Sequence, residues 1–391
     1  MTGMRFEPTE LSTAELALQR ELRTFLAAEL PRGSFEPGLG MAGAKDAAFS
    51  QKLAARGWVG MALPRRYGGG DRSAVERFVV AEELLRWGAP VGHHWVADRQ
   101  SGPLIAKFGS EEQRERFLPR ICRGELSFCI GMSEPDSGSD LASVVTRATR
   151  TEGGWLVNGT KVWTTGAHEH DWMIALVRTS DEADRHAGLS QLLIDLHGAG
   201  VTINPIPFLD GTADFNEVVL ADVYVPDADV IGTVGMGWSQ VGSELAFERG
   251  GPDRWLSTYL VVEEYLREYV VDVRGEEEVD DLVVDSELVE FLGWVVAQWW
   301  GLRNLSLAVA RSIDGGAAPA VEAALVKEMA TRFEQDLLEA LRRLVDLEPW
   351  PGSSSLFERL LANAILSAPS FTIRGGTIEI LRSVAAKGLR S

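Results

Sequence analysis

From Ser12 to about residue 125, apolar residues recur at three- and four-residue spacing, as in "AELALQRELRTFLAAEL" and "AVERFVVAEELLRW". That period predicts amphipathic helices, and Ser12 followed by Glu15 predicts a capping box at the start of the first. Between about 126 and 235 the texture changes to β-branched and aromatic runs broken by turn residues: "GWLVNGTKVWTT", "DWMIALVRT", "SQLLIDL", "GVTINPI" and "FNEVVLADVYV". These predict strands, and Asn158-Gly159 between two such runs predicts a hairpin turn. From about 236 the helical period returns in "WSQVGSELAFERGG", "PDRWLSTYLVVEEYLREYVV", "GLRNLSLAVARSI" and "AVEAALVKEMATRFEQDLLEALRRLV". The acidic run "RGEEEVDDLVVDSE" reads as a solvated connection or helix start. The order is α, then β, then α, an α+β class, and no fixed-period repeat runs through it.

Composition narrows the function. At 391 residues the chain exceeds the roughly 250–300 at which one core stops growing, so several domains are expected. The predicted parts are 1–125, helical; 126–235, β; and 236–391, helical. A net charge of -19 argues against nucleic acid or an anionic membrane, whose phosphates need clustered cations. The two cysteines, Cys122 and Cys129, suit a reducing compartment and no disulfide framework. The N-terminal stretch has neither the basic start nor the apolar core of a signal peptide, and "FLGWVVAQWWGL" is too short to span a bilayer. A cytoplasmic protein is the expectation. The glycine pattern at 38–43 follows no strand and reads as a loop rather than a phosphate cradle. His168-Glu169-His170-Asp171 lacks a third ligand and reads as a surface turn, so no metal is expected.

The loop "CIGMSEPDSGSDLAS" at 129–143 opens an ordered series: "NGTKVWTTGA", "HAGLSQLLID", "FNEVVLADVYVPDADVIG", "GMGWSQVGSELAFERGG" and "RGGTIEILRSVAAKGLRS". With "ARGWVGMALPRRYGGG" and "FGSEEQRERFLPRICRGELSFC" before it, the series resembles the acyl-CoA dehydrogenase family over nearly the whole chain from about residue 14. The resemblance implies an N-terminal helical domain, a middle β-barrel or sandwich and a C-terminal four-helix bundle. It implies FAD, cradled by the serine-rich loop and the W-x-T strand. Ser133 takes the place of the hydroxyl that reaches flavin N5, Ser139 the serine near the pyrophosphate and thioester, and Trp163 and Thr165 cover the flavin. Ile130, Met132, Gly138, Thr377 and Glu379 fall on further cofactor positions. Fixed hydroxyl and N–H donors suit the charge on a reduced flavin, and an aromatic face excludes water.

Taking an α proton from an acyl-CoA needs a carboxylate and a polarised thioester carbonyl. Many family members carry the base just before the C-terminal "GT", where this chain has Gly375. The isovaleryl-CoA and long-chain branches place it in an "ER" pair on an earlier helix, which here falls on Glu248 and Arg249. The expectation is Glu248 as base, Arg249 fixing the thioester or the base, and the Gly375 N–H bonding the carbonyl. The product is then a trans-2-enoyl-CoA, with electrons passed to an electron-transfer flavoprotein. A family segment "R-x-x-F-G" that reaches a neighbouring subunit's FAD is replaced by the acidic run, and a Gln- and Gly-rich loop by "DLEPWPGSSS". The chain is therefore expected as a homo-oligomer, dimer or tetramer, or as half of a heterotetramer with a related subunit. A non-catalytic partner subunit and an acyl-CoA oxidase are the alternative functions.

Overall fold

Ser12 caps α1 (Thr13–Glu29) as its spacing predicts. Its hydroxyl accepts the Glu15 N–H at 3.3 Å, and the Glu15 carboxylate accepts the Ser12 N–H at 2.7 Å. The computed structural model describes residues 6–40, 44–209, 211–271, 286–345 and 347–388; the side chains of 243–248 and 271 lie outside that description. After α1 come α2 (Ala47–Ala55), α3 (Ala74–Trp87), α4 (Gly92–Val96), α5 (Gly102–Phe108) and α6 (Glu111–Cys122).

The strands follow: β1 (Phe128–Gly131), β2 (Arg147–Thr151), β3 (Gly154–Thr165), β4 (Trp172–Arg178), β5 (Leu189–Asp195), β6 (Val201–Ile206) and β7 (Phe215–Pro226). They form one seven-stranded sheet in the order β1-β4-β2-β3-β7-β6, with β5 paired to β4. The closing helices are α7 (Gly237–Glu248), α8 (Tyr259–Tyr265), α9 (Ser286–Asp314), α10 (Ala320–Leu344), α11 (Leu356–Phe371) and α12 (Ile378–Gly388). The expected order of helices, strands and helices is the observed one.

Asn158-Gly159 is not the hairpin. The turn between β2 and β3 falls at Glu152-Gly153, and Asn158-Gly159 lies inside β3, where the register with β7 slips between Val157 and Gly159. The Asn158 amide exchanges two 2.9 Å hydrogen bonds with Asp222 on β7, and Gly159 takes φ +149° with a Cβ position 2.7 Å from Thr146 Cα. Pairing along β7 overrides the local turn preference and turns the dipeptide into a bulge.

Two compact units make up the chain. The sheet unit comprises 44–73 and 90–248. Within it β4 is covered on both faces: Met173, Ala175 and Val177 join the core of Val157, Leu192 and Val218, while Ile174 packs with Phe117, Ile121 and Phe128. A strand buried on both sides reads as the unbroken apolar run "MIALV". The helical unit comprises 1–43, 74–89 and 249–391. Here α1 packs on α3, α3 on α9, and α10 on α9, α11 and α12. Buried acids on α3 hold its neighbours, Glu83 with Arg23 of α1 at 2.7 Å and Glu82 with Arg303 of α9 at 2.5 Å. No helix among the described residues is long and apolar enough to cross a membrane. Of the acidic run at 274–287, residues 274–285 lie outside the described residues, and Ser286 and Glu287 open α9.

Candidate active site

In the sheet unit, the chain leaves β1 and is laced at once to β3. The Met132 carbonyl accepts the Lys161 ammonium at 3.2 Å, and the Ser133 carbonyl accepts the Val162 N–H at 2.9 Å. Glu134 and Ser137 exchange backbone hydrogen bonds of 2.8 and 3.1 Å, which closes the Pro135-Asp136 turn. The Ser137 hydroxyl then reaches the Asp140 carbonyl at 2.8 Å, and Ser143 reaches the Asp140 carboxylate at 2.6 Å. Beneath this loop Glu134, 4% exposed, accepts from Lys161 at 2.7 Å, Val145 N–H at 2.6 Å and Thr146 N–H at 3.0 Å. Burial pushes the Glu134 carboxyl up, but the Lys161 charge and these hydrogen bonds outweigh it and hold it below the ordinary range. Burial pulls the Lys161 ammonium down to about 8.

The predicted residues of this unit gather along that seam. Ile130 packs half-buried against the cluster that holds Phe117, Phe128 and Ile174, and Met132 against the cluster of Val144, Leu176, Leu189 and Val241. Ser133 is half-buried, while Gly138 and Ser139 are exposed. On β3, Trp163 and Thr165 are exposed and Thr164 between them is buried. Trp163 has φ +59° where β3 slips register against β7; the residue is 57% exposed, and its ring lies edge-on to Phe215 at 6.1 Å. A bulky residue in the left-handed region costs of order 1–3 kcal/mol, which the surrounding structure must offset. The strain presents a large aromatic surface to the exterior beside Ser133's strand partner.

The helical unit holds a second constellation at the turn leading into α12. Gly375 and Gly376 have φ +65° and +95°. Arg249 donates to the Gly375 carbonyl at 3.2 Å, and Lys327 of α10 donates to the Gly376 carbonyl at 2.8 Å. Among the described residues, the N–H groups of Gly375, Gly376 and Thr377 donate no hydrogen bond. Carbonyls held by cations and free N–H groups make the turn a donor surface. Arg374 donates to Ser257 Oγ at 2.7 Å and to Glu334 of α10 at 2.9 Å. Glu334 is fully buried, and burial pushes its carboxyl up to about 7 against the pull of Arg374 and the Ser257 N–H. Thr377 Oγ1 accepts the Ile380 N–H at 3.3 Å, and hydrogen bonds from its own N–H and from Thr377 hold the exposed Glu379 below the ordinary range.

The structure thus brings Met132 and Ser133 to the strand of Trp163 and Thr165, and brings Arg249 to Gly375. Glu248 is the last residue of α7, and its side chain lies outside the described residues. Sequence reasoning missed Lys161, Glu134, Lys327, Arg374 and Glu334. Only Lys161 left a trace, as a charge in an otherwise apolar and hydroxylic strand.

Two family models match the chain: acyl-CoA dehydrogenase, N-terminal domain, over residues 12–125, and acyl-CoA dehydrogenase, middle domain, over 129–223. Acyl-CoA dehydrogenase IpdE1 of Mycobacterium tuberculosis is 35% identical over 90% of this chain and 90% of its own length. Acyl-CoA dehydrogenase FadE34 of the same organism is 34% identical over 86% of this chain, which spans 45% of FadE34. Among solved structures, the Tcur3481-Tcur3483 steroid ACAD superposes with a TM-score of 0.82 at 27% identity, covering 98% of each chain. The ChsE4-ChsE5 complex of Mycobacterium tuberculosis gives 0.78 at 27% identity, covering 97% of this chain and 98% of that one.

Proposed function

The chain belongs to the acyl-CoA dehydrogenase family, and on that premise we propose that it oxidises an acyl-CoA between its α and β carbons to the trans-2-enoyl-CoA. The observation that carries this reading is Trp163, an exposed indole held in strained backbone beside the laced Ser133 loop. The residues present fit FAD: a broad aromatic surface, the hydroxyls of Ser133, Ser139 and Thr165, and the open backbone at Gly138. Ile130, Met132 and Trp163 would exclude water from the ring system, while Thr377 and Glu379 are assigned to the cofactor by resemblance. When bound, FAD supplies the acceptor for the hydride of the β carbon, and an electron-transfer flavoprotein takes the electrons onward.

The chain's own part is proton removal and charge stabilisation. Glu248 takes the α proton. The N–H of Gly375 bonds the thioester oxygen, whose negative charge grows as that proton leaves. Arg249 fixes the turn through the Gly375 carbonyl. Cys122 and Cys129 are buried free thiols, which accords with a cytoplasmic enzyme.

The test is the absorbance spectrum and native mass of the purified chain, then anaerobic titration with a panel of acyl-CoAs. We expect a yellow protein bleached by one class of thioester. Glu248→Gln is expected to keep the flavin and slow bleaching roughly 10²–10⁴-fold; undiminished bleaching would remove Glu248 as the base. A second reading, half of a heteromeric assembly acting on a steroid-derived acyl group, is favoured by the two superposed structures, which are named as a steroid ACAD and as a two-protein complex. Flavin held at half occupancy, and only with a second polypeptide, would select it.

A further inference from the structure

Gly375 has no side chain, yet the space beside its Cα is filled. A Cβ built at 375 would stand 3.2 Å from the Arg254 Cζ and 3.2 Å from each terminal nitrogen. Equal distances to three atoms of a planar group mean that the guanidinium lies face-on over the glycine. Arg254 is 2% exposed, and its Nε stands 3.0 Å from the carboxylate of Asp253, itself 1% exposed. Both occupy the single turn Pro252–Arg254 that follows Gly251. Arg374, the residue before Gly375, is drawn instead to Ser257 and Glu334. The turn is therefore held by Arg249 and Lys327 at its carbonyls, by Arg374 at its base and by the flat face of Arg254.

An apolar side chain would fill that space without the desolvation of a guanidinium, so packing alone does not account for a buried arginine there. We propose that Arg254 is a positioning residue of this turn. Its guanidinium stands where a side chain at 375 would be, keeps Gly375 in its left-handed conformation and leaves a fixed positive charge beside the turn's N–H donors. Two consequences follow. Position 375 is closed to side chains by the guanidinium as well as by its φ of +65°. Negative charge on an oxygen bound at those N–H groups gains from a guanidinium that water does not screen, with Asp253 offsetting part of the pull from the Nε side. The second consequence rests on the thioester reading of the turn; the first does not.

The test has two readouts on the full chain. In a double-mutant cycle on thermal unfolding, Gly375→Ala is expected to lower the melting temperature in wild type and to lower it less than half as much with Arg254→Ala. Arg254→Lys serves as a second background, because it keeps a charge for Asp253 while vacating the plane over Gly375. Additive losses in both backgrounds would overturn the placement. The second readout uses the acyl-CoA that bleaches the wild-type flavin. Arg254→Met is expected to lower kcat roughly ten- to a hundredfold with KM changed less than about threefold, and Arg254→Lys to recover part of it. An unchanged kcat would overturn the electrostatic role. If no acyl-CoA bleaches the wild type, the proposed activity and the electrostatic role fall together, and the cycle alone decides where the Arg254 side chain stands.

Discussion

Lys161 carries its charge into the interior, where Glu134 meets it at 2.7 Å with neither side chain more than 3% exposed. A buried pair of this kind gains little over an apolar pair, but losing one partner strands the other charge. Lys161→Met is therefore expected to cost roughly 3–5 kcal/mol in urea unfolding. Lys161→Met with Glu134→Gln should recover much of that loss, and equal losses in the two variants would show that the pair is not what holds the loop. Neither residue announced itself in the sequence: Glu134 sits in a serine-rich loop where a solvated acid is ordinary, and its burial arises from Val145 and Thr146 folding over it. The expectations for Ser133, Trp163 and Arg249 came from a resemblance of motifs. The φ of +59° at Trp163 was not legible in the sequence, since the left-handed turn follows from how β3 slips against β7.

At the scale of single elements, α4 and the turn before β4 carry histidines the fold keeps neutral. His94 Nδ1 lies 2.8 Å from Ser50 Oγ of α2, whose hydroxyl also reaches the Asp46 carbonyl at 2.8 Å, so the ring joins two helices. Burial pulls His94 down to about 4 against the opposing charge of Asp98. Burial, with the Lys45 and His93 charges, pulls His170 down to about 3, opposed by Glu169 and Asp171. Both folded values lie below the unfolded 6.5, so the unfolded chain binds protons that the folded chain refuses. The stability tied to these rings is complete above about pH 6.5 and falls as the pH drops through about 4 for His94 and about 3 for His170, by at most about 3 and about 5 kcal/mol respectively. The urea midpoint at pH 5 should lie below that at pH 7.5, and His94→Gln should shrink the difference; an equal difference in the variant would remove His94 as a cause. Element type was legible wherever periodicity was long, as in α1 and α10. It failed at Asn158-Gly159, because a two-residue turn preference is local and the pairing with β7 is not.

Across the molecule, the order helix, strand, helix was readable from the period of apolar residues. The composition of the two units was not, because each gathers segments far apart in the chain. The helical unit takes α1 and α3 from the N-terminal region, tied by Arg23 with Glu83, by Arg311 with Glu15 at 2.6 Å and by Arg303 with Glu82. A variant lacking residues 1–43 is accordingly expected to lose hydrogen-exchange protection in α3 and α9 while β3 and β4 keep theirs. Equal loss in the sheet would contradict the division. The same division bears on synthesis. The sheet unit is complete once residue 248 has been made, but α3, with Phe78, Val79, Leu84 and Leu85 bound for burial, waits for α9. At roughly 5–20 residues per second, the wait from the end of α3 to the end of α9 is on the order of 10–45 s. For that time α3 has α1 but not α9 to pack on, which makes its uncovered face a site for a chaperone at the ribosome.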